Sequence, residues 1–331
     1  MADMAGMKIS DTAQCVSESA ASAERLSGSG EVADGREGRG EAAGSRGTTA
    51  KSRQSSKVML SKRLQMLADM VTPGNRLVDV GCDHGYLSIR LVCAGICPGA
   101  IAMDVREGPL AAAKAHIAEA RLEDYIEVRL SDGLAECGQG EADTLVCAGM
   151  GGRLMERILR DGLEKTRSMR ELILQPQSEL PQFRAFLREN GFAVVDENAV
   201  FEEGKYYFAM KAVYRPETGR IREHRAPGED SEADAEASAN GGNGSGKRDP
   251  DAAEEREERQ RLYELYGGLL LQKKHPVLLQ YLRQREDYIG MLERSLAFAG
   301  TRKAERRVGA LRCELEDIRA ALAVYSGGAM T

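Results

Sequence analysis

The segment Leu77-Val78-Asp79-Val80-Gly81-Cys82-Asp83-His84-Gly85-Tyr86-Leu87 constrains the fold more than any other. An apolar run ends at Val80, a turn carrying Gly81 and Gly85 follows, and helical spacing begins near Tyr86. Strand, glycine turn and helix in that order make the first βα unit of a doubly wound parallel sheet. Such sheets bind ligands beyond the carboxyl ends of their strands. The turn is not the G-x-G-x-x-G of a dinucleotide site. Asp79 and Asp83 put carboxylates where a pyrophosphate would sit, so the turn favours a ligand that carries an amine.

The flanking sequence agrees. Apolar runs at 76–80, 100–103, 126–130, 144–148 and 172–174 alternate with helical patterns such as 109–120 and 152–159. Continuous apolar strands between helices mean a parallel sheet covered on both faces. Leu64, Leu67, Ala68 and Val71 predict a helix before the first strand, with Ser61 as its N-cap. Two last strand-like runs, 193–197 and 206–214, are placed to pair antiparallel at the sheet edge.

Three acids fall at three successive strand ends. Asp79 closes the first and Asp104 the second, where a carboxylate can accept both ribose hydroxyls. Asp132, followed by Gly133, comes after the third, where it can accept an exocyclic adenine amine. The set fits one extended adenosyl ligand with an amino acid tail and no phosphate, which is S-adenosylmethionine. The fourth strand ends in Ala148-Gly149-Met150-Gly151-Gly152, without the D/N-P-P-Y/F motif of many amino-group methylases. Its glycines leave room for a planar base.

Outside this region the composition changes. Residues 1–56 and 216–259 are rich in small and charged residues and poor in large apolar ones, which predicts a disordered tail and an acidic linker. The 331 residues carry a net charge of −6, yet 261–331 holds twelve Lys and Arg against eight Asp and Glu. In 260–331, Leu278, Leu282, Ile289, Leu292 and Leu296 form one stripe. Ala304, Val308, Leu311, Leu315, Ile318, Leu322 and Tyr325 form a heptad seam. The expectation is an antiparallel helical hairpin, coiled-coil-like, with basic outer faces. No run reaches the ~18 apolar residues of a membrane span. The first residues lack the apolar core of a secretory signal, so the cytoplasm is the default location. Seven cysteines, among them Cys93 and Cys97 without a second ligand pair, predict reduced thiols and no metal. Cys147, beside the proposed transfer site, is expected to react with alkylating reagents and to be protected by cofactor.

These motifs together resemble the bacterial TrmK family, tRNA adenine-22 N1-methyltransferases. The resemblance rests on Leu60–Leu64, on Asp79–Leu87, on Ala148–Gly152, on Leu172–Gln177 and on Glu203–Tyr207. Ser88 stands where the family pattern would have Pro. The resemblance implies an α/β, Rossmann-like class I methyltransferase domain over 57–215 with a C-terminal helical hairpin, S-adenosylmethionine as cofactor and tRNA as partner. Asp79, Gly81, Asp83, His84, Gly85, Asp104, Asp132, Gly133 and Ala148 are then the expected cofactor residues. His84, Tyr86, Gly149 and Gln175 are expected at the transfer site. Arg63, Tyr206, Arg302, Lys303, Arg306 and Arg307 are expected to meet the substrate. A methyltransferase acting on another substrate, or a non-catalytic nucleotide-binding module, stays open on the sequence.

Overall fold

The computed structural model describes residues 59–216, 250–297 and 302–327. The 1–56 tail and most of the expected linker lie outside them. Five parallel strands follow the apolar runs: β1 (Leu77–Val80), β2 (Ala100–Asp104), β3 (Ile126–Leu130), β4 (Thr144–Met150) and β5 (Glu171–Pro176). β6 (Phe192–Glu202) and β7 (Lys205–Tyr214) add an antiparallel pair, giving the order β3-β2-β1-β4-β5-β7-β6. The two-residue turn between them, Glu203-Gly204, has φ of 48° and 78°, the conformation tight hairpins favour.

Alternate residues of each strand feed opposite faces. Leu77, Val146 and Ile173 join α1 (Lys62–Met70), α2 (Tyr86–Cys93) and α3 (Glu107–Glu119) in one core. Val78, Val80, Leu145, Cys147, Leu172 and Leu174 face α4 (Gly152–Asp161), α5 (Leu163–Ser168) and α6 (Leu180–Glu189) in a second. The start of α1 is held twice. The Ser61 hydroxyl accepts from the Leu64 amide at 3.3 Å. The Glu202 carboxylate, at the tip of the β6–β7 hairpin, accepts the Lys62 and Arg63 amides at 2.6 and 3.2 Å.

The C-terminal part has more helices than the expected hairpin: α7 (Pro250–Tyr266), α8 (Gly268–Gln272), α9 (Pro276–Ala297) and α10 (Arg302–Tyr325). α9 and α10 run antiparallel, with ion pairs from Arg312 to Glu293, Arg319 to Glu286 and Arg285 to Glu314. Leu311, Leu315 and Ile318 of the seam are buried against Leu278, Leu282 and Ile289. The linker expectation is corrected at its C-terminal end, where 250–259 is helical. Charged composition read there as disorder, but Glu and Arg are good helix formers and Pro suits a first helical position. Tertiary contacts hold the helix: Leu262 and Tyr266 are buried, and Arg184 of α6 donates to the Glu264 and Leu265 carbonyls at its end. The same core takes Ala199 and Phe208 from the sheet, so these helices pack directly on β6 and β7.

Candidate functional site

A cleft of about 580 Å³ opens at the carboxyl ends of β1, β2 and β4. It is lined by Asp79, Gly81, Asp83, His84, Tyr86, Asp104, Asp132, Gly133, Ala148, Gly149 and Arg63, all expected from sequence. Gly85 stands just behind the wall. Its φ is 73°, and a Cβ there would sit 3.3 Å from that of Ala113, so it lets α2 approach α3. Gly81, at φ 76°, passes Met150 so closely that a Cβ would lie 2.9 Å from the methionine methyl. The turn's amides are partly committed: those of Gly81 and Cys82 donate to the Met103 carbonyl at 2.8 and 2.9 Å.

The acids sit in different surroundings. Asp79 is buried, and that desolvation pushes its carboxyl up to about 6 against the lowering effect of the Ser88 hydroxyl, with Asp104 and Asp83 adding repulsion. Ser88 donates to Asp79 at 2.9 Å, so the hydroxyl at the departure from the family pattern satisfies a buried carboxylate. Asp104 is also buried and accepts the Arg106 amide at 2.9 Å. Asp132 is exposed and held by both terminal nitrogens of Arg157, at 2.9 and 3.2 Å.

At the mouth, Tyr86 stacks on His116 with ring centroids 4.8 Å apart, and His84 lies 5.7 Å from Tyr86. His116 Nδ1 faces the His84 carbonyl at 3.1 Å and therefore carries the hydrogen there. His116 escaped the sequence reading because it lies in the last turn of α3, thirty residues from Tyr86.

Two expected contacts are corrected. Gln175 is buried beneath the cleft and accepts from Arg63 Nη1 at 3.2 Å, while Gln177 reaches the lining. Tyr206 faces away: its hydroxyl donates to Gln284 of α9 at 2.7 Å and its ring meets Phe201 and Tyr281. Tyr207 instead lies under the Arg63 guanidinium at 5.6 Å. Successive strand residues point to opposite faces, so a tyrosine pair read from sequence offers one ring to each side. Arg302, Arg306 and Arg307 are exposed on α10 and none lines the cleft; the Lys303 side chain lies outside the described residues. Cys147 is fully buried, and burial pushes its thiol far above the ordinary range, which corrects the expectation of reactivity.

A parallel sheet in this order, with an antiparallel last pair and an acid-lined cleft at its strand ends, defines a Rossmann-like methyltransferase domain. A family described as methyltransferase domain matches residues 60–210. The chain is 39% identical over 153 residues, 46% of its length, to a tRNA (adenine(22)-N(1))-methyltransferase of Bacillus subtilis, spanning 64% of that relative. It superposes on the B. subtilis m1A22 tRNA methyltransferase TrmK with TM-score 0.60 at 27% identity, covering 80% of this chain and 99% of the other. Sp1610 of Streptococcus pneumoniae, in complex with S-adenosyl-L-methionine, gives 0.59 at 29% identity, covering 80% and 100%. In sequence and in fold the chain is similar to these methyltransferases.

Proposed function

We propose that this protein transfers a methyl group from S-adenosylmethionine to N1 of adenine 22 in tRNA, the reaction named for its B. subtilis relative. The observation that carries the reading is the row of carboxylates, Asp79, Asp104 and Asp132, along one cleft. Carboxylates so placed suit a cationic ligand without phosphates, and S-adenosylmethionine bound there supplies an electrophilic methyl group.

Asp104 accepts the ribose hydroxyls, and Asp79 and Asp83 face the ligand's ammonium. Asp132 exchanges Arg157 for the adenine amine. Gly149, with no side chain, leaves space for the target base, and His84 and Tyr86 hold that base. N1 of adenine already offers a lone pair, so no proton need be removed before attack. The protein's contribution is alignment and exclusion of water. N1 is on the pairing edge, so the base must leave its stack to reach the cleft. The acidic lining also suits the cationic product.

The test is incubation of the protein with methyl-labelled S-adenosylmethionine and total tRNA, followed by digestion to nucleosides. Label in 1-methyladenosine, lost when adenine 22 is replaced by guanine, is the expected result. Label confined to protein or small molecules overturns the reading.

A further inference from the structure

Three arginines line the cleft, and two of them are neutralised. Arg106 stands 3.5 Å from Asp104, and Arg157 lies 2.9 Å from Asp132. Among the described residues Arg63 has no carboxylate on its guanidinium. Its Nη1 donates to Gln175, its plane lies over Tyr207, and the same nitrogen is 3.2 Å from where a Gly149 Cβ would be. Arg63 therefore brings an uncompensated cation to the edge of the cleft at Gly149. A guanidinium so placed matches a phosphate in shape and charge.

What fixes that placement is not in the cleft. Arg63 is in the first turn of α1, where backbone amides have no helical partners. Two of those amides, of Lys62 and Arg63 itself, are taken by Glu202. Glu202 is the last residue of β6, on the hairpin whose Tyr206 is bonded to Gln284 of α9. An acidic group at a helix N-terminus is favoured by both hydrogen bonding and the helix dipole.

We propose that Glu202 is a positioning residue, its carboxylate holding the first turn of α1 so that Arg63 stays across Gly149, ready for a backbone phosphate of the RNA at the target nucleotide. The proposal rests on the RNA-methylating reading and adds to it a residue outside the cleft. It also makes the β6–β7 hairpin a direct mechanical link from the C-terminal helices to the transfer edge.

The experiment compares E202Q, R63A and the double variant, in the full chain, by steady-state methylation of tRNA and by calorimetry with S-adenosylhomocysteine. E202Q is expected to lower kcat/KM for tRNA by about tenfold, the scale of a lost hydrogen bond to a charged group. Its S-adenosylhomocysteine affinity should stay within about twofold, because among the described residues its carboxylate bonds only to α1 amides. The double variant should be no worse than R63A, since both changes disable one device. Losses that multiply in the double variant overturn the coupling, and a matching loss of S-adenosylhomocysteine affinity in R63A assigns Arg63 to the cofactor carboxylate instead. If the wild-type protein methylates no tRNA, the function reading fails separately. Amide exchange then still decides the hold on α1: E202Q must speed exchange at Lys62 and Arg63, and unchanged exchange overturns it.

Discussion

Asp79 is the residue whose environment says most about the ligand. Its carboxyl, pushed up to about 6 by burial, is neutral at pH 5 and charged at pH 8. The shift is upward, so the ligand-free fold loses stability as pH rises from the ordinary carboxylate range through about 6. The cost of ionising it in place is about 3 kcal/mol. An ammonium ligand needs the charged form. Affinity for S-adenosylmethionine should therefore fall as pH drops below about 6, approaching tenfold per unit. Asp79→Asn should flatten that dependence, weaken binding at pH 8 and raise the melting temperature of the ligand-free protein there. Calorimetry between pH 5 and 8 checks this, and a flat wild-type profile removes Asp79 from the ammonium. Cys147, one strand over, is expected to stay silent: in native protein an alkylating reagent should leave it unlabelled in mass spectrometry, because the thiol is fully buried and burial disfavours its thiolate.

Among the described residues, the most deeply buried ion pair lies at the join between α6, β6 and α7. Arg184 and Glu197 are both buried and meet at 3.0 Å. Arg184 also caps the end of α7, and Glu197 accepts the Leu269 amide in α8 at 3.0 Å. Removing one partner strands the other charge, so Arg184→Ala should cost about 3–5 kcal/mol in urea unfolding. A loss below about 1 kcal/mol would mean that water enters the join and replaces the guanidinium. The elements also mark where sequence is readable. β1, β2, β4 and β5 are legible because strands covered on both faces are largely continuous apolar runs, edge strand β3 because Ile126, Val128 and Leu130 alternate with Glu127 and Arg129, and the α10 seam because its spacing is regular. α7 is not, because its hold on the fold comes from Arg184, some eighty residues upstream. The site divides likewise. Strand-end acids follow from where strands stop. Choosing Tyr207 over Tyr206 requires the face to which each residue points, and a one-residue slip reverses it, whereas choosing Gln177 over Gln175 requires knowing that β5 stops at Pro176 between them.

For the whole molecule, the C-terminal helices are both a support for the sheet and the carriers of exposed cations. Arg302, Arg306 and Arg307 have no ion-pair partner among the described residues and lie on a face that packs nothing. Replacing all three by Glu should leave the fold intact, weaken tRNA binding and reduce the slope of log affinity against log salt by roughly one for each lost phosphate contact. An unchanged slope in filter binding would put the phosphate contacts elsewhere. Deleting the helices is a poorer test of RNA recognition, because Phe208 and Ala199 would lose their cover. The order of the strands adds a consequence. β6 is the outermost strand at the antiparallel end of the sheet, paired to β7 on one side only. α8 and the turn after it lie against it, with Lys273 near the Glu197 carbonyl at 3.5 Å and His275 against Asn198 at 3.1 Å. Stripped of that cover, eleven residues of strand would present unpaired amides and carbonyls to any other extended chain. A chain ending at 216 should therefore fail by joining this edge to those of its neighbours, and the helices serve as the guard that keeps the sheet from growing past β6.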